Sequence, residues 1–260
     1  RRIYSSKYRL QDKLVVSGQL EKIRSLFKDH VVVVVPTHFS NLDSIVVGYG
    51  MDVGLGLPSF SYGAGLNLYN TGIVAYFMNR LGAYRVDRRK KNKVYLETLK
   101  NMSKLSIVKG TNSLFFPGGT RSRSGSIESE LKTGLLSTTI KAQYELLEKG
   151  SDKKIIILPM VIGYSCTLEA KHLIEQQLRK TGKEKYIIAN DDSNSPWKLS
   201  KYLWQFFSAE SDISLSFAPP IDVFGNEINE KGESIGKVGT KLHLKDYFTY
   251  NGVFNANPQR

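Results

Sequence analysis

The strongest hydrophobic signal in the chain is an unbroken β-branched run, VVVVV at 31–35, closed by Pro36. A strand with one wet face alternates apolar and polar residues, whereas a run without alternation is covered on both faces, as in a buried parallel strand. Short runs of similar character recur at 83–86, 113–116, 155–159 with Val161 and Ile162, and 214–217. Between them lie helical stretches, roughly 41–50, 66–81, 93–109, 134–149 and 167–180. Strand and helix therefore alternate, and the pattern predicts an α/β architecture. After Pro219 and Pro220 the sequence turns polar and glycine-rich, with GNEINEKGESIGKVG at 225–239, so 221–260 is expected to form loops or a peripheral hairpin. No internal repeat or linker divides the chain, and 1–260 is read as a single domain.

The length of 260 residues is enough to bury a substantial core without disulfide staples. With 41% hydrophobic and 23% charged residues, disordered, collagen-like and multi-span membrane classes fall away. The charge changes the picture more. Lys and Arg number 37 against 24 Asp and Glu, a net +13, which favours a polyanionic partner: nucleic acid, anionic lipid or a phosphorylated substrate. A single cysteine, Cys166, excludes an internal disulfide and fits a reducing compartment; beside Tyr164 it reads as easily as a small core residue. His30, His172 and His243 have no metal-ligand spacing, so no metal site is expected.

No stretch reaches the ~18 apolar residues of a spanning helix. The start, RRIYSSKYRL, lacks the apolar middle of a signal peptide, and a beginning without Met suggests a chain cut from something longer. From 53 to 79 there is no charged residue or histidine, yet Pro58 and several glycines interrupt the segment. Phe60, Tyr62, Tyr69, Tyr76 and Phe77 are ring types that settle at a membrane interface, and RVDRRKKNK at 85–93 follows with six cations and one acid. Two readings stand side by side: peripheral membrane contact, or a glycine-rich core element followed by a solvated charge run.

Two segments carry candidate chemistry. The first is PTHFSNLD, directly after the valine strand. His38 and Asp43 are five apart, about 140° round a regular helix, so they meet only if His38 lies in the turn before the helix and Asp43 in its first turns. There a carboxylate can hold one imidazole nitrogen and leave the other as a base. A His and an Asp near one another in sequence are in most chains unrelated; placement at a strand's carboxyl end, where α/β proteins assemble their sites, raises their weight. The second is LFFPGGTRSRSG at 114–125. Gly118 and Gly119 let backbone N–H groups approach an anion, and Arg121 and Arg123 can project to one side as two-pronged phosphate ligands. It is neither a Walker loop nor GxGxxG. Read alone, a basic surface turn explains it equally well.

Taken together the motifs are more specific. HFSNLD resembles the H-x4-D signature of the glycerophospholipid acyltransferases, and GAYRVDRR at 82–89, FFPGGTRSRSG at 115–125 and ILPMVIGY at 157–164 follow in that family's order. RSRSG with the later KTGLL, and IGY with LEAKHLIEQQLR, looks closer to the glycerol-3-phosphate and dihydroxyacetone-phosphate acyltransferase branch than to the lysophosphatidate branch. The resemblance implies a mixed, largely parallel β-sheet flanked by helices. It implies transfer of a fatty acyl group from acyl-CoA or acyl-carrier protein to a glycerol 3-phosphate hydroxyl in phospholipid biosynthesis. No cofactor beyond that thioester co-substrate is implied. His38 would be the general base and Asp43 its orienting carboxylate. Arg88, Arg121 and Arg123 would hold the phosphate within a loop that includes Gly118, Gly119, Thr120 and Ser122, and Pro159 would shape the donor site. Because the family's reaction is direct transfer, Ser40 is given a structural hydrogen bond rather than a nucleophilic role. The implied location is a membrane, peripheral or anchored through segments outside this chain, with the site facing the cytoplasm. One departure stands out: where the family's third motif has Glu, this chain has Gly118, which bears on acceptor identity first and activity second. Acylation of dihydroxyacetone phosphate or lysophosphatidate is therefore the alternative.

Two rivals come from other classes. A nucleic-acid-binding module fits the charge, but the cations cluster beside glycine turns instead of alternating with stacking aromatics, so no nucleic acid partner is expected. A catalytically dead lipid-binding homologue is suggested by Gly118 alone, and the presence of both His38 and Asp43 argues against it.

Overall fold

The valine run forms the strand at the centre of the molecule. In the computed structural model, which describes residues 13–40, 43–58, 60–69, 75–76, 79–80, 82–87, 89–119, 122, 131–165, 174–175, 177–179, 182 and 212–254, β2 (Val31–Pro36) lies between β5 (Ser113–Leu114) and β6 (Ile155–Tyr164), parallel to both. The seven-stranded sheet is completed by β1 (Leu14–Ser17), β3 (Ser61–Gly65), β4 (Ala83–Val86) and β7 (Ile213–Phe217), in the order β1-β7-β6-β2-β5-β3-β4. Every neighbouring pair is parallel except β6 and β7. The fold is mixed α/β with a largely parallel sheet.

Successive side chains of a strand point to opposite faces, and β2 feeds two cores in this way. Val32 and Val34 join Ile156, Leu158, Met160 and Ile162 of β6 beneath α1 (Leu20–Asp29) and α2 (Asp43–Tyr49). Val31 and Val33 join Ile155 beneath α3 (Lys93–Val108) and α4 (Thr133–Glu148), which contribute Ile107, Ala142 and Leu146. The Asn92 side chain caps α3 by accepting from the Val94 N–H at 2.8 Å.

In the large sheet and the helices packed on it, three elements went unread in the sequence: β1, the amphipathic α1, and β3, whose sequence SYGAG lacks the usual strand formers. In β3 the glycine is a packing device. A Cβ on Gly63 would lie 3.0 Å from Val86 Cγ2 and 3.2 Å from Tyr84 Cε2, so the neighbouring strand's side chains occupy the space it leaves. The uncharged 53–79 segment accordingly divides. Leu55, Phe60, Tyr62 and Ala64 are buried, while Tyr76 is exposed.

Other boundaries shift. The helix expected over 41–50 runs Asp43–Tyr49 and continues as a π-helical turn, Gly50–Leu55. The strand expected over 113–116 pairs only through Ser113–Leu114, although the Phe115 N–H still donates to Val34 O at 3.0 Å. Within 66–81, Leu66–Tyr69 is a 3-10 turn and most of the remainder lies outside the described residues, as does most of 167–180.

Beyond β7, Ile221 and Ile157 exchange backbone hydrogen bonds at 2.8 and 2.9 Å. Val223 and Ile228 then enter the two cores. A three-stranded sheet of β8 (Glu227–Ile228), β9 (Ser234–Ile235) and β10 (Lys241–Leu242) follows, then α5 (Leu244–Phe248) and the hairpin of β11 (Thr249–Tyr250) and β12 (Val253–Phe254). Where β6 gives way to β7, the chain is clasped: Ser165 N–H donates to Asp212 O at 3.1 Å, and Asp212 N–H donates to Ser165 Oγ at 2.8 Å. Among the described residues no helix is long and apolar enough to cross a membrane.

Candidate active site

The carboxyl ends of β2, β4, β5 and β6 lie on one edge of the sheet, because these strands run the same way. The β2 end delivers His38 in a turn, and Asp43 opens the helix that follows. His38 Nδ1 lies 2.8 Å from Asp43 Oδ2, the arrangement the five-residue spacing permits only across a turn–helix junction. The same oxygen accepts the N–H groups of Phe39 at 2.7 Å and Ser40 at 2.9 Å. From β6, the Tyr164 hydroxyl donates to the other oxygen, Oδ1, at 2.5 Å.

Asp43 is wholly buried, and each of its oxygens has a donor. A buried carboxylate satisfied in this way cannot swing, so it fixes the imidazole with the Nδ1 proton toward Asp43 and the Nε2 lone pair on the far side. Phe116 stacks on the ring, with centroids 4.1 Å apart and planes at 27°. No described residue engages Nε2. Ser40 is buried and gives Asp43 its backbone N–H, a structural contact.

The glycine loop after β5 meets this corner. Ser122 N–H donates to His38 O at 2.7 Å, Gly119 N–H turns back to Phe116 O at 3.0 Å, and Lys132 N–H donates to Pro117 O at 2.7 Å. The left-handed residue of the turn is Gly119, with φ 67°. A Cβ there would also meet Lys132 Cδ at 2.7 Å and lie 3.2 Å from its Nζ, so the lysine side chain crosses the turn. Lys132 precedes the first turn of α4, whose N-terminus has no side-chain cap. A cation beside exposed helix N–H groups and a glycine turn favours an anion.

Of the sequence-derived site residues, the structure brings His38, Asp43, Gly118, Gly119 and Ser122 to this edge. Pro159 lies in β6 opposite Val35, and its carbonyl accepts the Ala218 N–H at 3.0 Å. Arg88, Thr120, Arg121 and Arg123 lie outside the described residues. Sequence reasoning missed Phe116, Lys132 and Tyr164 as site residues. Tyr164 closed the fourth motif, and Lys132 stood two residues before the glycine of KTGLL; spacing along the chain gave neither a partner. No group of His, Cys, Asp and Glu suited to a metal occurs among the described residues.

A cavity of about 360 Å³ opens beside Phe116 on the α3/α4 face of the sheet. Val35, Tyr84, Val86, Leu96, Leu99, Phe116, Leu135 and Leu136 line it, with Lys100, Gly119 and Lys132 also in its wall. Phe116 thus belongs both to the cavity and to the stack on His38.

The family model described as Acyltransferase matches residues 15–163, more than half of the chain, from the second residue of β1 to the penultimate residue of β6. The chain belongs to the acyltransferase family. The chain is 31% identical over 162 residues to the glycerol-3-phosphate acyltransferase of Alteromonas mediterranea, an overlap of 61% of this chain and 19% of that protein. It is 30% identical over 168 residues to the glycerol-3-phosphate acyltransferase of Pseudoalteromonas atlantica, 64% of this chain and 20% of that one. The chain spans about a fifth of the length of these curated relatives. Among solved structures, the 1-acyl-sn-glycerophosphate (LPA) acyltransferase PlsC of Thermotoga maritima superposes with a TM-score of 0.46 and 18% identity, covering 82% of this chain and 63% of that one. In this member of the acyltransferase family the matched span holds His38, Asp43, Phe116 and the glycine turn, and Tyr164 follows one residue after it.

Proposed function

We propose that the chain is a glycerolipid acyltransferase that moves a fatty acyl group from a thioester, acyl-CoA or acyl-carrier protein, to a hydroxyl of glycerol 3-phosphate. The observation that carries this reading is the His38–Asp43 pair, with Nδ1 committed to a buried carboxylate and Nε2 engaged by no described residue, tied through Ser122 to a basic glycine loop. An alcohol is a poor nucleophile until its proton is drawn away. Nε2 takes that proton as the hydroxyl oxygen attacks the thioester carbonyl, and Asp43 stabilises the imidazolium that forms. Collapse of the tetrahedral intermediate breaks the carbon–sulfur bond, and the same proton passes to the departing thiolate. The new ester and a free thiol leave. Lys132, the Gly119 turn and the arginines 88, 121 and 123 hold the acceptor phosphate.

The relatives named glycerol-3-phosphate acyltransferase support this acceptor. A second reading, acylation of dihydroxyacetone phosphate or a lysophospholipid, is favoured by Gly118, which offers no carboxylate to a free acceptor hydroxyl. The reaction takes place at a membrane facing the cytoplasm: the basic segment 85–93 begins in the last two residues of β4 and runs on from the sheet edge that carries His38, suited to anionic lipid.

Thiol release from one acyl-CoA, measured with glycerol 3-phosphate, dihydroxyacetone phosphate and lysophosphatidate, tests the reading. Glycerol 3-phosphate should give the highest kcat/KM, and His38→Ala should lower kcat by roughly 10²- to 10⁴-fold in a folded protein. Near-native turnover of His38→Ala would remove the assignment.

A further inference from the structure

In a parallel ladder a residue donates its N–H to the carbonyl one position before its partner, and its own carbonyl accepts the N–H one position after that partner. β2 starts in this way on β6: Val31, opposite Ile155, donates to Lys154 O at 3.0 Å. Pro36, opposite Met160, is the last paired residue. Thr37, which follows it and precedes His38, keeps half of the pattern. Its N–H donates to Met160 O at 3.1 Å. Continued pairing would bring the Ile162 N–H to the Thr37 carbonyl; that N–H goes instead to the Thr37 hydroxyl, Oγ1, at 3.0 Å. The side chain stands in for its own carbonyl. The peptide joining Thr37 to His38 is thereby freed to turn, and the part-buried Ile162 N–H is not left unpaired. Hydroxyl side chains that compete with backbone groups in this manner interrupt regular structure. On the β5 side, Phe115 N–H donates to Val34 O at 3.0 Å, and four residues on the His38 carbonyl accepts the Ser122 N–H from the loop after β5 at 2.7 Å. The backbone that carries the imidazole is held from both neighbouring strands where β2 ends. We propose that Thr37 is a positioning residue for the proton transfer: its hydroxyl stops β2 one residue before His38 and so sets where the imidazole stands between Asp43 and the acceptor hydroxyl. Valine has nearly the same shape without the hydroxyl. With Val at 37 the Ile162 N–H is satisfied only by the residue's own carbonyl, which extends the strand and displaces the turn. This inference rests on the acyl-transfer reading above.

The test compares wild type, Thr37→Ser and Thr37→Val in steady-state acyl transfer and in the downfield proton NMR signal of the His38 Nδ1–H group, recorded without substrate. Misplacing a reacting group by about 1 Å costs on the order of a hundredfold in rate. Thr37→Val should lower kcat by about 10- to 100-fold with both KM values within about twofold of native, and its Nδ1–H signal should shift or vanish. Thr37→Ser, which retains the hydroxyl, should keep kcat within about threefold and keep the signal. Near-native kcat in Thr37→Val, an equal fall in both variants, or a loss confined to KM overturns the inference. If Thr37→Val does not fold, Thr37→Ala read against Thr37→Ser decides by the same outcomes. If the wild type transfers no acyl group to any acceptor, the NMR signal decides alone. Its loss in the valine variant but not in the serine variant keeps the positioning role and removes the acyl-transfer reading, and a signal alike or equally absent in all three proteins removes the positioning role.

Discussion

Phe116 is shared by two regions built in opposite ways. Against its ring lies the His38 corner, where Asp43 is wholly buried and accepts from His38, Phe39, Ser40 and Tyr164. In the cavity that Phe116 also lines, the walls are mainly apolar, with Lys100 and Lys132 among the lining residues. Polar groups in low dielectric are costly when unpaired and rigid when fully paired. The corner is therefore rigid and fully paired, the arrangement the proposed proton transfer calls for, while the cavity offers apolar surface and two cations.

The most direct way to break this contrast is to remove charge from the ordered side. In Asp43→Asn the amide oxygen can still accept from His38, Phe39 and Ser40, and its NH2 can face Tyr164, so the geometry survives while the imidazolium loses its counter-charge. We expect kcat to fall about 10²- to 10³-fold with the far-UV spectrum and Km values little changed, measured by steady-state kinetics. A smaller perturbation takes one hydrogen bond from the same carboxylate. Tyr164→Phe should lower kcat by about three- to tenfold with both Km values unaltered. A shift in Km alone would make Tyr164 a binding residue instead.

On the open side, Lys132→Ala should raise Km for the phosphorylated acceptor by about tenfold and leave that for the thioester near native, with the difference shrinking at high salt. Equal shifts in both Km values would remove the lysine from the phosphate site. The smallest effect belongs to neither region and serves as a control. His30 precedes β2 at the far edge of the sheet, and burial, with Lys154 nearby, holds its pKa below 6.5. A histidine whose folded pKa is lowered takes up its proton more readily when unfolded. Its neutral form therefore supports the fold fully above about 6.5, and that support fades as pH falls from 6.5 toward the lowered value. Thermal or denaturant melts of wild type and His30→Gln should diverge only in that acid range, with a slope of at most about 1.4 kcal/mol per pH unit, while kcat at neutral pH is unchanged.

How much of this was legible in the sequence follows from the range of each interaction. The all-valine β2 was readable because burial on both faces erases alternation, and α3 and α4 were readable from their periodicity. The strand β3 was not, since Gly63 is there to lie beneath Tyr84 and Val86, a contact that no local pattern encodes. His38 and Asp43 could be paired because a turn and one helical step join them. Tyr164 meets the same carboxylate from 121 positions away, a separation that only the parallel register of β2 and β6 closes. Lys132 belongs to the glycine turn for a similar reason: the chain leaves Pro117 and returns to it fifteen residues later, through the Lys132 N–H.

The clasp between Ser165 and Asp212 has an architectural consequence. Two backbone donors close the chain on itself one residue past Tyr164, directly where β7 begins its antiparallel return. Whatever stretch of chain joins those two residues starts and finishes at the same point of the sheet, so its length is uncoupled from the register of the strands; doubling a flexible connection costs only about 0.6 kcal/mol in closure entropy. A change in that length leaves β6 paired with β7 and Tyr164 bonded to Asp43.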